Sequence, residues 1–373
     1  MKFATTLLVF CVGALLALGM VMLYSASMVQ VGARYLVMQL VWCALGLAVC
    51  VAWTLLDYRW LKKISLLLLL AAVGLLVLVL FGAKTNGARR WLVVAGQSFQ
   101  PSELAKLALI VALAHYGERY QRYMPTFWRG LVVPGVLVGL VLGLIFVEPD
   151  RGTTILLAAV SAMMLLVAGV RWRYLIPPVI AGVAALAFSL WHDPMRIKRI
   201  FSWWFLEENK DGVGYQAWQA MLALGSGGLT GLGLGNGRQK LGFVPEHHTD
   251  FIFSIIGEEL GLIATLAVVV AFVVLVICGV YIAWNARDTF GMLLGSGITF
   301  LIGLQAFINI GVVTSALPNK GLPLPFISKG GSNLLMMLAC IGLLLSIARR
   351  AGHRNAPVTE TLATEEIRAR QTS

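Results

Sequence analysis

Four clusters bring together residue types that move protons or hold anions. The most informative covers Gly242 to Gly261 and includes Pro245-Glu246-His247-His248-Thr249-Asp250-Phe251. Asp250, Ser254 and Glu258 recur every four residues, so a helix places them on one face, with one carboxylate at the mouth of a cavity and another below it. An ordinary helix N-cap at Asp250 is the alternative. His247 and His248 are adjacent and point apart on any regular element, so they read as surface histidines and not as a metal pair. A second cluster is Ser98-Phe99-Gln100-Pro101-Ser102-Glu103-Leu104-Ala105-Lys106. Pro101 can open a helix there, and Glu103 and Lys106 lie at i, i+3 on one face, as a site or as a local ion pair. Arg89 and Arg90, just upstream, carry planar guanidinium donors that suit phosphate. The third, Glu148-Pro149-Asp150-Arg151-Gly152, fits a site or a tight turn with an Asp–Arg pair. The fourth is the Pro/Gly-rich stretch from Leu317 to Asn333. Its Lys320, Ser328, Lys329 and Ser332 could meet an anion, and a plain rigid turn is the alternative.

The elements that must position these groups cross a membrane. Of 373 residues 59% are apolar and 12% charged, about half the charge of an ordinary soluble domain, and the mean hydropathy is +0.85. That balance argues against a soluble enzyme. The apolar residues fall into ten blocks, near residues 4–24, 35–56, 64–82, 102–118, 131–147, 153–170, 174–191, 250–283, 290–314 and 330–348. Each has about the length a helix needs to cross 30 Å of hydrocarbon. The expected fold is an all-α polytopic membrane protein of about ten transmembrane helices. The first block resembles a signal peptide but is long for one, and further spans follow, so it counts as helix one. With both ends in the cytoplasm, the short inner segments carry 13 Lys and Arg and the short outer ones seven, the bias expected of that orientation.

Two outer segments are long, 83–101 and 192–249, so function is expected to face outward. In the second, Arg196, Lys198 and Arg199 precede Phe201, Trp203 and Trp204, a mixture suited to a helix in the headgroup layer. Gly231 to Gly237 is glycine-rich but lacks the GK[ST] ending of a phosphate loop, and reads as a flexible or closely packed segment. The net charge of +12 is spread over loops without a base-stacking stripe, so nucleic acid is not an expected partner. The five cysteines lie within apolar blocks and read as packing residues. No internal repeat of the transporter kind is visible. Residues 1–350 form the expected transmembrane domain and 351–373 a disordered cytoplasmic tail.

In this order the four clusters resemble the SEDS family (FtsW/RodA/SpoVE), whose members polymerise the glycan strands of bacterial peptidoglycan. Gln100-Pro101-Ser102-Glu103-Leu104-Ala105-Lys106 and the stretch from Pro245 to Gly261 carry the likeness together. Gly237-Arg238-Gln239-Lys240 and Leu317-Pro318-Asn319-Lys320-Gly321-Leu322 look closer to the FtsW branch, which serves division, than to the RodA branch, which serves elongation. One departure is Lys329, where the family usually has an aromatic before Gly330-Gly331-Ser332.

The resemblance implies ten helices in the cytoplasmic membrane and an outward cavity that binds lipid II, an undecaprenyl-pyrophosphoryl disaccharide-pentapeptide. It puts the essential carboxylate on Asp250 and family positions on Glu103 and Lys106. The implied reaction joins a sugar hydroxyl to an anomeric carbon while a lipid pyrophosphate leaves, with Asp250 as the base. Arg90, Lys106, Arg151 and Lys320 are candidate cations for the leaving pyrophosphate, with Ser328 and Ser332 as further contacts and Mg2+ or Mn2+ as a candidate aid. No cofactor is otherwise implied. Expected partners are a class B penicillin-binding protein acting as transpeptidase, divisome regulators and membrane lipid. Three other readings stay open: a lipid II flippase or transporter using Glu258 and Lys106, a RodA-type elongation polymerase, and a non-catalytic scaffold.

Overall fold

The apolar blocks form helices in the computed structural model, which describes residues 1–82, 89–94, 97–192, 194–242 and 249–352. The first three are α1 (Lys2–Val31), α2 (Arg34–Leu55) and α3 (Trp60–Leu80). A short hairpin, β1 (Leu92–Val94) and β2 (Gln97–Phe99), leads into α4 (Pro101–Arg119). A π turn at Trp128–Val132 runs into α5 (Val133–Val147), followed by α6 (Arg151–Val167) and α7 (Trp172–Trp191). Two helices, α8 (Pro194–Trp204) and α9 (Tyr215–Ser226), occupy the long loop before α10 (Ile252–Trp284), α11 (Thr289–Val313) and α12 (Gly331–Gly352). The expected tail falls outside the described residues from 353 onward. The hairpin is a departure from the plain loop expected over 83–101; a three-residue strand such as Leu92–Val94 leaves too short a pattern to read.

Among the described residues eight helices are long and apolar enough to cross a membrane. The other two expected spans are α6, which is apolar but 17 residues long, and α4. Helix α4 carries Glu103, Lys106 and His115, and it tolerates them because protein surrounds it: it packs against α3, α5, α6, α11 and α12 and is buried along almost its whole length. Intramembrane charge is accommodated where a helix faces the bundle interior. Helices α2 and α12 approach through small residues. A Cβ on Gly342 would stand 2.5 Å from the Cys50 carbonyl oxygen, so only glycine permits that contact.

Helix α10 is broken at Gly261, whose φ of 77° lies in the left-handed region. Residues Ile252–Glu259 above the break are buried in protein, whereas Leu262, Ile263, Leu266, Val270, Ile277 and Trp284 below it are exposed. The exposed apolar surface of α10 therefore starts at the break. The backbone groups freed there are taken up by the glycine-rich segment. Leu232 and Gly233 amides donate to the Glu258 and Glu259 carbonyls at 3.0 Å, and Leu262 and Ile263 amides donate to Gly228 and Leu229 at 2.9 and 3.2 Å. Buried backbone in a membrane protein needs such partners. The closely packed alternative for Gly231–Gly237 is the one the fold adopts. Helix α8 has the amphipathic character expected of the 196–204 segment, with Phe201 and Trp204 exposed.

Candidate functional site

The starts of α4, α6, α10 and α12 meet at one end of the bundle, so their positive dipole ends and unpaired amides converge there. Gln100 ties three of them together. Its backbone amide donates to Ser332 Oγ at 3.2 Å, and its side chain donates to Ser102 Oγ at 2.9 Å and Asp150 Oδ2 at 3.2 Å. Asp150 in turn caps α6 through the Thr153 amide at 3.1 Å and hydroxyl at 3.0 Å.

Asp250 lies two residues ahead of α10 and is half-buried. It is not the N-cap: that position is Phe251, without a side-chain cap. The carboxylate instead faces the 317–330 loop. A Cβ on Gly321 would stand 3.3 Å from Asp250 Cγ and closer still to Oδ2, so the backbone of the loop lies directly on the carboxylate. Ser328 holds this loop down, donating to the Thr249 carbonyl at 2.6 Å and accepting from the Leu324 amide at 2.8 Å.

Below this level Glu103 and Lys106 form an ion pair at 2.8 Å with both side chains at most 4% exposed. Lys106 also donates to Gln305 Oε1 at 3.0 Å, and Asn333 donates to Glu103 Oε2 at 3.1 Å. The pair is thus sealed between α4, α11 and α12. The other candidate cations are engaged to different degrees. Arg90 donates to the carbonyls of Glu148, at 3.0 Å, and Pro149. Arg151 turns away from Asp150, donating to Ser189 of α7 and lying over the Phe146 ring at 5.3 Å. Lys320 has no hydrogen bond or ion pair among the described residues, and burial lowers its pKa from the usual lysine value. Ser332 donates to the Ser98 carbonyl at 3.3 Å, pinning the hairpin to α12. Lys329 lies over the Tyr35 ring of α2, 3.0 Å from its centroid.

Glu148 is fully buried with both carboxylate oxygens lacking a hydrogen bond among the described residues. Burial, with the Asp150 charge adding to it, pushes its pKa up to about 8 against the opposing pull of Arg90, so it is largely protonated at neutral pH.

The shared face of Asp250, Ser254 and Glu258 does not open as one cavity. Ser254 Oγ donates to the Phe251 carbonyl at 2.7 Å, and Glu258 accepts the amides of Arg238 at 2.7 Å and Gln239 at 3.2 Å. Its neighbour Glu259 pairs with Lys240 at 2.6 Å and accepts from Ser25 of α1 at 2.7 Å. These carboxylates anchor the glycine-rich segment. His247 and His248 lie outside the described residues. Among the described residues no group of three or more His, Cys, Asp or Glu is arranged to hold a metal ion.

Two amides were absent from the sequence reading, Gln305 and Asn309, although two uncharged polar residues one turn apart in an apolar span are a visible signal. Asn309 donates to the carbonyls of Asp250 at 2.8 Å and Leu322 at 2.6 Å, and Gln305 donates to that of Pro323 at 2.9 Å.

Helical spans around a buried polar centre, with a carboxylate at the mouth under a proline-rich loop, define a multi-pass membrane protein with a site at one end of its bundle. The chain belongs to the FtsW/RodA/SpoVE cell cycle protein family, which it matches over residues 5–353. It is 40% identical over 346 residues to a probable peptidoglycan glycosyltransferase FtsW of Geobacter metallireducens, an alignment that covers 90% of this chain and 92% of the relative. A probable peptidoglycan glycosyltransferase FtsW of Pseudomonas fluorescens is 38% identical, with 90% and 85% covered. Among solved structures, a chain from work on coordination of polymerization and crosslinking by a peptidoglycan synthase complex superposes with a TM-score of 0.79 at 31% identity, covering 92% of this chain and 97% of that one. The rod shape determining protein RodA of Thermus thermophilus superposes with a TM-score of 0.68 at 30% identity, covering 92% and 96%.

Proposed function

We propose that this chain is a peptidoglycan glycosyltransferase of the FtsW branch, polymerising lipid II into glycan strands on the outer face of the bacterial cytoplasmic membrane during division. The names of its relatives support the reaction and the branch. The observation that carries the reading is the position of Asp250: a half-buried carboxylate under Gly321, next to Lys320 in the chain and beside the converging starts of four helices.

In this reading Asp250 takes the proton of the attacking sugar hydroxyl, the oxygen bonds to the anomeric carbon from the back side, and the lipid pyrophosphate departs with the bonding electrons, inverting an α-linked donor to a β-linked product. A positioned base contributes about 10² to 10⁴ in rate. Lys320 and the helix starts meet the pyrophosphate charge as it develops. The inner pair Glu103 and Lys106 supports the floor of the site, and Arg90 and Ser332 hold its rim. Arg151 donates from one nitrogen to Ser189 of α7 and keeps Nε and Nη1 buried without a hydrogen bond among the described residues, so it stays a candidate for the pyrophosphate.

The exposed apolar surface of α10 ends at Gly261, which supports placing Asp250 at the level of a lipid's pyrophosphate. The excess of Lys and Arg in the inner segments supports placing both termini in the cytoplasm and the site outside. The likeness to a chain of a peptidoglycan synthase complex supports a transpeptidase of the penicillin-binding class as partner. Divisome regulators follow from the branch assignment.

The test is polymerisation of purified lipid II by the full-length protein with its cognate transpeptidase, in Mg2+ or Mn2+. The Asp250→Asn variant, nearly isosteric but unable to act as a base, is expected to insert and bind lipid II yet form no polymer. An Asn variant with normal turnover refutes the assignment.

A further inference from the structure

The backbone carbonyl of Asp250 has no helical partner, because the Ser254 amide, which would reach it in a regular helix, donates instead to Phe251 at 3.0 Å. Its partner is the side chain of Asn309, at 2.8 Å, whose amide also donates to the Leu322 carbonyl at 2.6 Å. One nitrogen therefore bridges the segment that carries the carboxylate and the loop segment that lies on it. Only the NH2 end of an amide can serve two carbonyls, so the orientation of Asn309 is fixed by its surroundings. One turn below, Gln305 repeats the arrangement on Pro323 at 2.9 Å, with its own oxygen held by Lys106 at 3.0 Å. Both amides are buried, Asn309 at 1% and Gln305 at 0% exposure.

The loop needs such grips. It has no regular structure between α11 and α12, and Pro318, Pro323 and Pro325 supply no amide hydrogens. Its carbonyls must find donors elsewhere, and α11 supplies them at successive residues, Leu322 and Pro323.

We propose that Asn309 and Gln305 are positioning residues for glycan transfer: through these hydrogen bonds they fix the spacing between the Asp250 carboxylate and the Lys320-Gly321 segment above it. This rests on the reading of Asp250 as the base. Neither amide touches the reacting atoms. Each acts on the backbone that carries the base or its cover, and a misplacement of about 1 Å at a reacting group costs about 10²-fold in rate.

The test separates turnover from binding and from folding. Full-length Asn309→Ala and Gln305→Glu, the latter keeping an acceptor for Lys106 but losing the donor to Pro323, are compared with the native protein for lipid II binding, turnover at saturating lipid II and melting temperature. Thr299→Ala serves as a control, since Thr299 is equally buried on α11 and bonded only to the Gly295 carbonyl of its own helix. The expected result is a loss of turnover of about 10²-fold in both amide variants, with lipid II binding near native and turnover of Thr299→Ala preserved at a comparable drop in melting temperature. Near-native turnover in Asn309→Ala, or an equal loss in Thr299→Ala, overturns the proposal; so does failure of both amide variants to fold, which would make these residues purely structural. An inactive Asp250→Asn alongside an active Asn309→Ala defeats only the positioning role, whereas an active Asp250→Asn removes the base on which it rests.

Discussion

Gly321→Ala adds one methyl group at the contact between the 317–330 loop and the Asp250 carboxylate. Gly321 is not among the glycines with positive φ, so alanine fits its backbone and the perturbation is purely steric. The new Cβ would stand 3.3 Å from Asp250 Cγ and well inside contact distance of Oδ2. Since the loop is held by Asn309, Gln305 and Ser328, the softer member is the Asp250 side chain, which must turn or shift by about 1 Å. A displacement of that size costs about 10²-fold in rate, equivalent to about 2.7 kcal/mol in the activation barrier. The assay is polymer formed from purified lipid II at saturation, with lipid II binding and melting temperature measured on the same preparation. Turnover is expected to fall by about that factor while binding and stability stay near native. Native turnover in a folded Gly321→Ala protein would refute the dependence of the reaction on the spacing between Asp250 and the loop.

Four further outcomes follow from three groups outside the lipid-facing region, Asp288, Glu148 and Lys240. Asp288 caps α11 through the Gly291 amide at 2.8 Å and pairs with Arg59 at 3.0 Å and Lys62 at 3.3 Å; Asp288→Ala should lower unfolding stability in detergent by about 1–2 kcal/mol, the scale of a lost cap. Burial alone would raise the Asp288 pKa, but the Gly291 amide, the Tyr58 hydroxyl and Lys62 together hold it below 3.8. Its contribution is therefore present above the unfolded-state pKa and is lost as pH falls through the lower folded value, so the native protein should lose its melting-temperature advantage over Asp288→Ala in strong acid. For Glu148 the sign is reversed: with a folded pKa of about 8 against 4.5, the folded state binds the extra proton and stability declines as pH rises between those values. Glu148→Gln should accordingly melt above the native protein by a margin that grows from pH 6 to pH 9. Lys240→Met leaves Glu259 buried without its cation, and should cost about 3–5 kcal/mol, measured by denaturant or thermal unfolding.

Eight spans were legible among the described residues because a bilayer imposes one length and one composition on every lipid-facing helix. Helix α4 was legible for a second reason, since Pro101 opens it and apolar residues dominate it despite Glu103 and Lys106. Asp250 could be singled out from its place at a loop–span junction, but not that the cap position of α10 falls on Phe251 instead. The direction of Arg151 toward Ser189 was hidden, because a turn of Glu-Pro-Asp-Arg-Gly does not say on which side of the helix start its guanidinium falls. Glu258 was misread for a related reason: helical spacing gives the face of a residue, not what covers that face, and the cover comes from residues 235–240. The amides of Gln305 and Asn309 carried a signal, as polar groups in an apolar span, while the carbonyls they serve belong to a loop with no pattern of its own.

The break at Gly261 sets an order of assembly. From Leu262 to Trp284 the chain is long enough at about 1.5 Å per residue to cross the bilayer alone, and this stretch can enter the membrane as soon as it is made. The nine residues above it cannot be completed by themselves, because the Leu262 and Ile263 amides and the Glu258 and Glu259 carbonyls find their partners in residues 228–233. That segment is synthesised earlier, so it must wait outside the hydrocarbon and then close onto a helix that arrives later. The segment that carries Asp250 is therefore complete only once residues 228–233 lie beside it. Insertions at 228–233 should block maturation of a chain already in the membrane, whereas insertions at the exposed turn around Glu207 and Glu208 should leave it unaffected.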